Sequence, residues 1–314
     1  MSPDLTTLPV LTYNALTYNA LTYNALSANA TANKVMAEVP LATDSYNGDV
    51  EELRNQLSDP TGRTQEFFYY LVGCALEPGQ VVEYRDDISG GTFDATYEGA
   101  LGLCPDWNGD KPTDACRQVV SSCLLARQNA FGVSIELSMR GHDGAMNWIE
   151  TREDEIDQFK WREGAFFGDV FGHLADGVDV HVDENGELLG DNFQIDDQPI
   201  YPSMYACYSD VWTSPEAYAQ DRICAGGGTN CVAASVGDCF GHPTYSPTAD
   251  RCGVDDDGPE FGEGDYQFCA DNTGSGQVWE NALTVWLEDP CDLMDEGSPN
   301  CDVFGEGELG DDDK

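Results

Sequence analysis

Basic residues are what this sequence has least of for its size: 14 Lys and Arg stand against 58 Asp and Glu, a formal charge of −44. So acidic a surface repels phosphate backbones and anionic lipid alike, which excludes nucleic-acid binding and attachment to membranes through a basic patch. Long apolar runs are missing as well. The nearest, residues 67–76, is ten residues long and contains Gly73 and Cys74. A bilayer span needs roughly 18, so no membrane insertion is expected and the run reads as a buried helix.

Histidine is confined to His142, His173, His181 and His242. The usual catalytic signatures are absent too: no Gly-x-Ser-x-Gly elbow, no His-Glu-x-x-His pair and no haem-type Cys-x-x-Cys-His occurs. No Cys-x-x-Cys occurs at all, which argues against a zinc ribbon or a thioredoxin-like site. Residues 305–310 spell the dinucleotide fingerprint, but they follow no strand, open no helix and would present acid to a pyrophosphate. Calcium loops centred on Gly186 or Gly258 fail at their first and last positions, which fall on His181 and Asn192, or on Gly253 and Gly264.

What is abundant is cysteine. There are twelve, eight of them in the 95 residues from Cys207 to Cys301. An even, dense set without metal-type spacing reads as a disulfide framework, and such frameworks persist in oxidising surroundings. The protein is therefore expected to be secreted or held at the cell surface. Residues 1–33 carry no Lys or Arg and lack a signal peptide's basic and apolar regions, so the chain is expected to be a mature or trimmed form with a starting Met. Twelve free thiols in a reducing cytoplasm would be the alternative. The excess acid suits a solvating, salt-tolerant surface, and it makes a divalent cation the one cofactor to which the composition points.

Along the chain, a five-residue repeat comes first. Leu11, Leu16, Leu21 and Leu26 recur at a spacing that matches neither a helix nor a strand. The segment resembles pentapeptide-repeat sequences, which wind into a right-handed β-helix. It departs from them in having Asn then Ala before the Leu, and about one coil is too few to bury a core. An extended arm is expected, packing its Leu and Tyr rows on the main domain or on another copy of the protein, in which case self-association through the arm follows.

Globular texture begins near Asp49. Helices are expected over 50–57, 64–76 and 113–129, with Thr64 as a cap for the second, and strands over 80–85, 92–97 and 133–139. Cys116 and Cys123 lie seven residues apart on one helix. That is about 10 Å of rise, too far for a mutual bond, so each ties the helix elsewhere, Cys74 and Cys104 being nearest in sequence. Helical or mixed stretches are expected over 147–159 and 161–171, a strand over 178–182 before the hairpin turn 183–186, a short helix from Ser214, and a strand returning to the core over 279–287. The last residues, 302–314, read as a disordered acidic tail.

Two constellations carry potential chemistry. If 178–182 is a strand, Asp179, His181 and Asp183 line one outer face, where side chains at i, i+2 and i+4 converge on a metal ion. Their mixed donors suit a transition metal better than calcium. Secondly, Glu150, Glu153 and Glu163 lie among Trp148, Phe159, Trp161, Phe166 and Phe167, and acids beside aromatics can form a sugar-binding cleft.

The segments Cys116-Arg117-Gln118-Val119-Val120-Ser121-Ser122-Cys123-Leu124-Leu125-Ala126-Arg127, Arg162-Glu163-Gly164-Ala165-Phe166-Phe167-Gly168 and Tyr205-Ala206-Cys207 resemble pieces of uncharacterised cysteine-rich exported proteins of myxobacteria and related groups. The resemblance covers about 65–290. It implies export and a shared fold, and it carries no activity. Together these readings give an α+β protein: a repeat arm and linker (1–48), a mixed helix and antiparallel-strand core (49–206), a disulfide-rich irregular region packing on it (207–301) and the acidic tail (302–314). The expected role is extracellular or cell-surface binding, structure or assembly, with divalent cations or cell-surface glycans as partners. The alternative is a secreted glycan hydrolase using carboxylates within 150–171.

Overall fold

The computed structural model describes residues 11–13, 16–17, 36–42, 63–86, 93–129, 136–171, 194–195, 198–199, 204–208, 224–225, 230–231, 233–240, 251–254, 264–270 and 277–289. In chain order the elements begin with β1 (Leu11–Tyr13), β2 (Leu16–Thr17), α1 (Arg63–Ala75), β3 (Val81–Asp86) and β4 (Phe93–Glu98). A 3-10 turn (Pro105–Asn108), α2 (Asp114–Ala126), β5 (Gln128–Asn129), β6 (Glu136–Gly141), α3 (Glu153–Gln158) and β7 (Trp161–Gly168) follow. After them come β8 (Gln194–Ile195), β9 (Gln198–Pro199), β10 (Met204–Tyr208), β11 (Cys224–Ala225), β12 (Asn230–Cys231) and β13 (Ala234–Asp238). The last are β14 (Cys252–Val254), β15 (Tyr266–Ala270), β16 (Val278–Trp279) and β17 (Leu283–Leu287). Helices and mainly antiparallel sheets coexist, so the fold is α+β, with four disulfides among the described residues.

The six-stranded sheet runs β1-β6-β17-β7-β10-β13 and is antiparallel except at its β10–β13 edge. Period-two alternation sorts its side chains. Leu137 and Met139 on β6, Leu283, Val285 and Leu287 on β17, Phe166 on β7, and Met204 and Ala206 on β10 belong to one apolar cluster with α1 and α2. Phe167 and Ala165 on β7 join Tyr205 and Cys207 on β10 in a second cluster, completed by Val236, Cys239, Cys252, Tyr266, Cys269 and Trp279. The sheet β14-β15-β16 supplies part of that second cluster.

Helix α2 shows why the sequence folds as it does locally. Thr113, extended at φ −75° and ψ 169°, accepts a hydrogen bond from the Cys116 amide and caps the first turn. Val119, Val120, Cys123, Leu124 and Ala126 are buried against the sheet and α1. Replacing Thr113 by Ala removes only the cap, so a loss of about 1 kcal/mol is expected in urea unfolding, and an unchanged midpoint would show that the cap contributes nothing. Cys123 bonds to Cys74 on α1, and Cys116 to Cys104 at the foot of the 3-10 turn. The two expected strands about residues 80–98 form a complete hairpin, from Val81 opposite Glu98 to Asp86 opposite Phe93.

Within the helical or mixed stretch expected over 161–171, residues 161–168 form the strand β7. Its last six residues are buried, because apolar matter covers both faces of the sheet there. A strand buried on both sides shows no alternation to read. Gly164 permits the close approach of β10, since a Cβ would collide with the Cys207 carbonyl. Opposite β17, Gly164 pairs with Val285 and Arg162 with Trp286, leaving Glu163 as the extra residue of a β-bulge. The expected helix at 50–57, the strand at 178–182 with its turn, the helix start at Ser214 and the tail at 302–314 lie outside the described residues. Among the described residues no helix is long and apolar enough to cross a membrane.

Candidate functional site

On β6 the residues alternating with Leu137 and Met139 are Ser138 and Arg140, and neither reaches water: Ser138 is 0% and Arg140 4% exposed. What covers them arrives from distant sequence. Helix α3 contributes Glu155, whose carboxylate accepts a 2.5 Å hydrogen bond from the Ser138 hydroxyl. Arg140 donates to Ser138 Oγ at 3.1 Å and to the Phe159 carbonyl at 3.0 Å, and its guanidinium lies 4.6 Å from the Trp286 ring centre. From the start of β15, Asp265 accepts the Trp286 indole N–H at 2.7 Å. Arg162 donates to the Gly264 carbonyl at 2.6 Å and sits 5.0 Å from the rings of both Phe240 and Tyr266. The Tyr266 amide donates to Thr284 Oγ1 at 2.6 Å. These contacts make a polar seam joining the large sheet to the sheet of β14–β16.

Burial dominates the electrostatics of the seam. It pushes the Asp265 carboxyl up to about 6, against the lowering pull of Arg140, the Trp286 N–H and Arg162, while Glu155 adds to the rise. Burial likewise raises Glu155, opposed first by its hydrogen bond from Ser138. The Arg140 guanidinium is lowered by burial, opposed by Asp265 and Glu155. A carboxyl that keeps its proton near neutrality is suited to acid chemistry. Asp265 is 3% exposed and Glu155 3%, however, with the Asp265 oxygen taken by Trp286. In this setting Glu155 fastens α3 to the large sheet and Asp265 fastens the β14–β16 sheet to it.

Below the seam lies a sulfur cluster. Cys207 on β10 is bonded to Cys239 just past β13, and Cys252 on β14 to Cys269 on β15. The Cys207 and Cys252 sulfurs are 3.4 Å apart, and the Sγ atoms of Cys207, Cys252 and Cys269 all lie within 4.8 Å of one another. All four cysteines are buried. In the disulfide state these sulfurs are poor ligands, since metals take thiolates.

The residues singled out in the sequence fare differently. Glu150 and Glu153 are exposed, whereas Glu163 is fully buried in the bulge of β7. The structure thus puts the three acids in unlike environments. Phe159, Phe166 and Phe167 are fully buried, and Trp161 packs against the larger core; Trp148 stacks on His142 with ring centres 4.1 Å apart. Asp179, His181 and Asp183 lie outside the described residues. Arg140, Glu155, Arg162 and Asp265 were not singled out. One available signal was the rarity of arginine: in so acidic a chain each guanidinium has a choice of carboxylates, and Arg140 sits on the face of β6 opposite Leu137 and Met139.

No protein-family model, curated protein or solved structure matches the chain.

Proposed function

We propose that this is an exported, acidic, disulfide-clamped protein of structural role, which associates with further copies of itself through its repeat arm. The observation that carries the reading is the pairing of β1 with β6. Leu11, Thr12 and Tyr13 of the first repeat copy lie antiparallel to Ser138, Leu137 and Glu136 and form the edge of the large sheet. Main-chain pairing of this kind asks little of the donor beyond an extended segment of matching pattern. The same Leu-Thr-Tyr triplet recurs at 16–18, where Leu16 and Thr17 pair with Gln128 and Asn129 of the same chain, and at 21–23, so the arm offers more than one segment able to pair in this way.

Charge supports the arrangement. Residues 1–33 contain one acid, Asp4, and no base, so the arm reaches a neighbour without adding to the repulsion between bodies of charge −44. The four disulfides among the described residues fit an extracellular setting. Divalent cations outside the cell would screen the acidic surfaces that assembly brings together. The glycan-hydrolase alternative has less support, because the aromatic residues it needs for a cleft are largely spent in the two cores.

The test is the solution mass of the full chain and of a variant lacking residues 1–33, measured by light scattering over a range of concentration and salt. The full chain is expected to exceed monomer mass increasingly as salt screens the charge, and the truncated chain to stay monomeric. A monomeric full chain under all these conditions would overturn the reading.

A further inference from the structure

We propose that Cys207, Cys239, Cys252 and Cys269, when reduced, form a tetrathiolate site for a borderline-soft divalent cation of the zinc class. A tetrahedral thiolate site with metal–sulfur bonds of about 2.3 Å has sulfurs about 3.8 Å apart along each edge. Cys207 and Cys252 already stand at 3.4 Å, and three of the four sulfurs fall within 4.8 Å. Cys239 supplies the fourth through its present bond to Cys207. Each bonded pair must open, by side-chain rotation, to tetrahedral spacing.

Hydrogen bonds as well as the disulfides bring together the backbone that carries the four sulfurs. The Cys239 amide donates to the Tyr208 carbonyl at 2.8 Å, next to Cys207, and the Cys252 amide to the Cys239 carbonyl at 3.0 Å. Cys252 faces Cys269 in the β14–β15 ladder. Cys207 is held in β10 between β7 and β13. With the sulfur bonds cut, a bound metal would take over their part in holding these segments together. Spacing in the sequence could not reveal the site, because its four residues come from four separate segments.

The chemistry balances as follows. Each disulfide takes two electrons and two protons from a dithiol, which itself becomes a disulfide. The metal then binds the four sulfurs with release of their four protons. The reverse needs two equivalents of a disulfide oxidant, each taking two electrons and becoming a dithiol with protons from water, as the metal leaves. A chain that is exported passes first through a reducing compartment, and there the metal would hold the quartet in register before oxidation.

The experiment uses the full chain, reduced by a dithiol under nitrogen, freed of excess reductant, and given either zinc ion or a chelator. All cysteines are then alkylated and mapped by peptide mass. Protection by zinc of Cys207, Cys239, Cys252 and Cys269, with the other eight cysteines modified, is the expected result, together with one zinc per chain. Since the map reads individual residues, it answers even if reduction loosens the fold. Equal modification of all twelve, or protection of a different set, would overturn the proposal. As a second readout, the variant Cys252→Ala/Cys269→Ala is expected to lose zinc protection at Cys207 and Cys239, and retained protection there counts equally against it.

Discussion

Replacing Cys252 and Cys269 together by alanine is expected to lower the unfolding free energy by about 3 kcal/mol, and to release the β14–β15–β16 sheet before the rest of the molecule loosens. The magnitude follows from the closed loop: the two cysteines are 17 residues apart, and constraining a loop of that length costs the unfolded chain about 3 kcal/mol of entropy. The location follows from packing. Four of the eleven residues in the second cluster are cysteines, so without their bonds it retains little apolar substance beyond Phe167, Tyr205, Val236, Tyr266 and Trp279. The larger cluster also contains four cysteines, but among 34 buried residues that include Trp107, Phe67, Phe68 and Leu124. Alanine is the choice because it leaves no buried hydroxyl to satisfy. Hydrogen exchange separates the outcomes: loss of protection confined to β14, β15 and β16 supports this division, and equal loss in α1 and α2 contradicts it.

Acidification from pH 7 towards pH 4 is expected to stabilise the protein, the reverse of ordinary acid denaturation. Asp265 has a folded-state value of about 6 against an ordinary 3.8, so between those values the folded chain binds a proton that the unfolded chain does not. Its penalty is present in full above about pH 6 and is relieved as pH falls through 6 towards 4. At 1.36 kcal/mol for each pKa unit, the relief amounts to about 3 kcal/mol. Glu155 is shifted in the same direction. Protonation of the many surface acids also reduces the repulsion within a chain of charge −44. Asp265→Asn isolates the buried contribution: its melting temperature is expected to vary less between pH 7 and pH 4 than that of the wild type. Parallel profiles for the two proteins would show that the gain is only the general relief of surface charge.

How far such behaviour could be read from sequence depends on the range of the contacts. Helix α2 was legible because its apolar face and its cysteine spacing are local, and the geometry of Cys116 and Cys123 forced each to look elsewhere for a partner. The hairpin of β3 and β4 and the strand β17 were legible by alternation and turn residues. β7 was not, since a segment covered on both faces carries no alternating signal. The seam was hidden for a different reason. Ser138 and Arg140 look solvent-facing on their own strand, and part of what covers that face, Trp286 and the Asp265 carboxylate beside it, comes from more than a hundred residues further along the chain.

The position of β17 bears on how the molecule comes into being. It lies between β6 and β7, pairing antiparallel with both, although it follows β7 by more than a hundred residues. Until Leu283 to Leu287 have emerged from the ribosome, β6 and β7 have no strand to bridge them, and the middle of the large sheet cannot close. Such late, long-range closure makes folding slow. A nascent chain therefore cannot complete the middle of its large sheet until nearly all of it has been made.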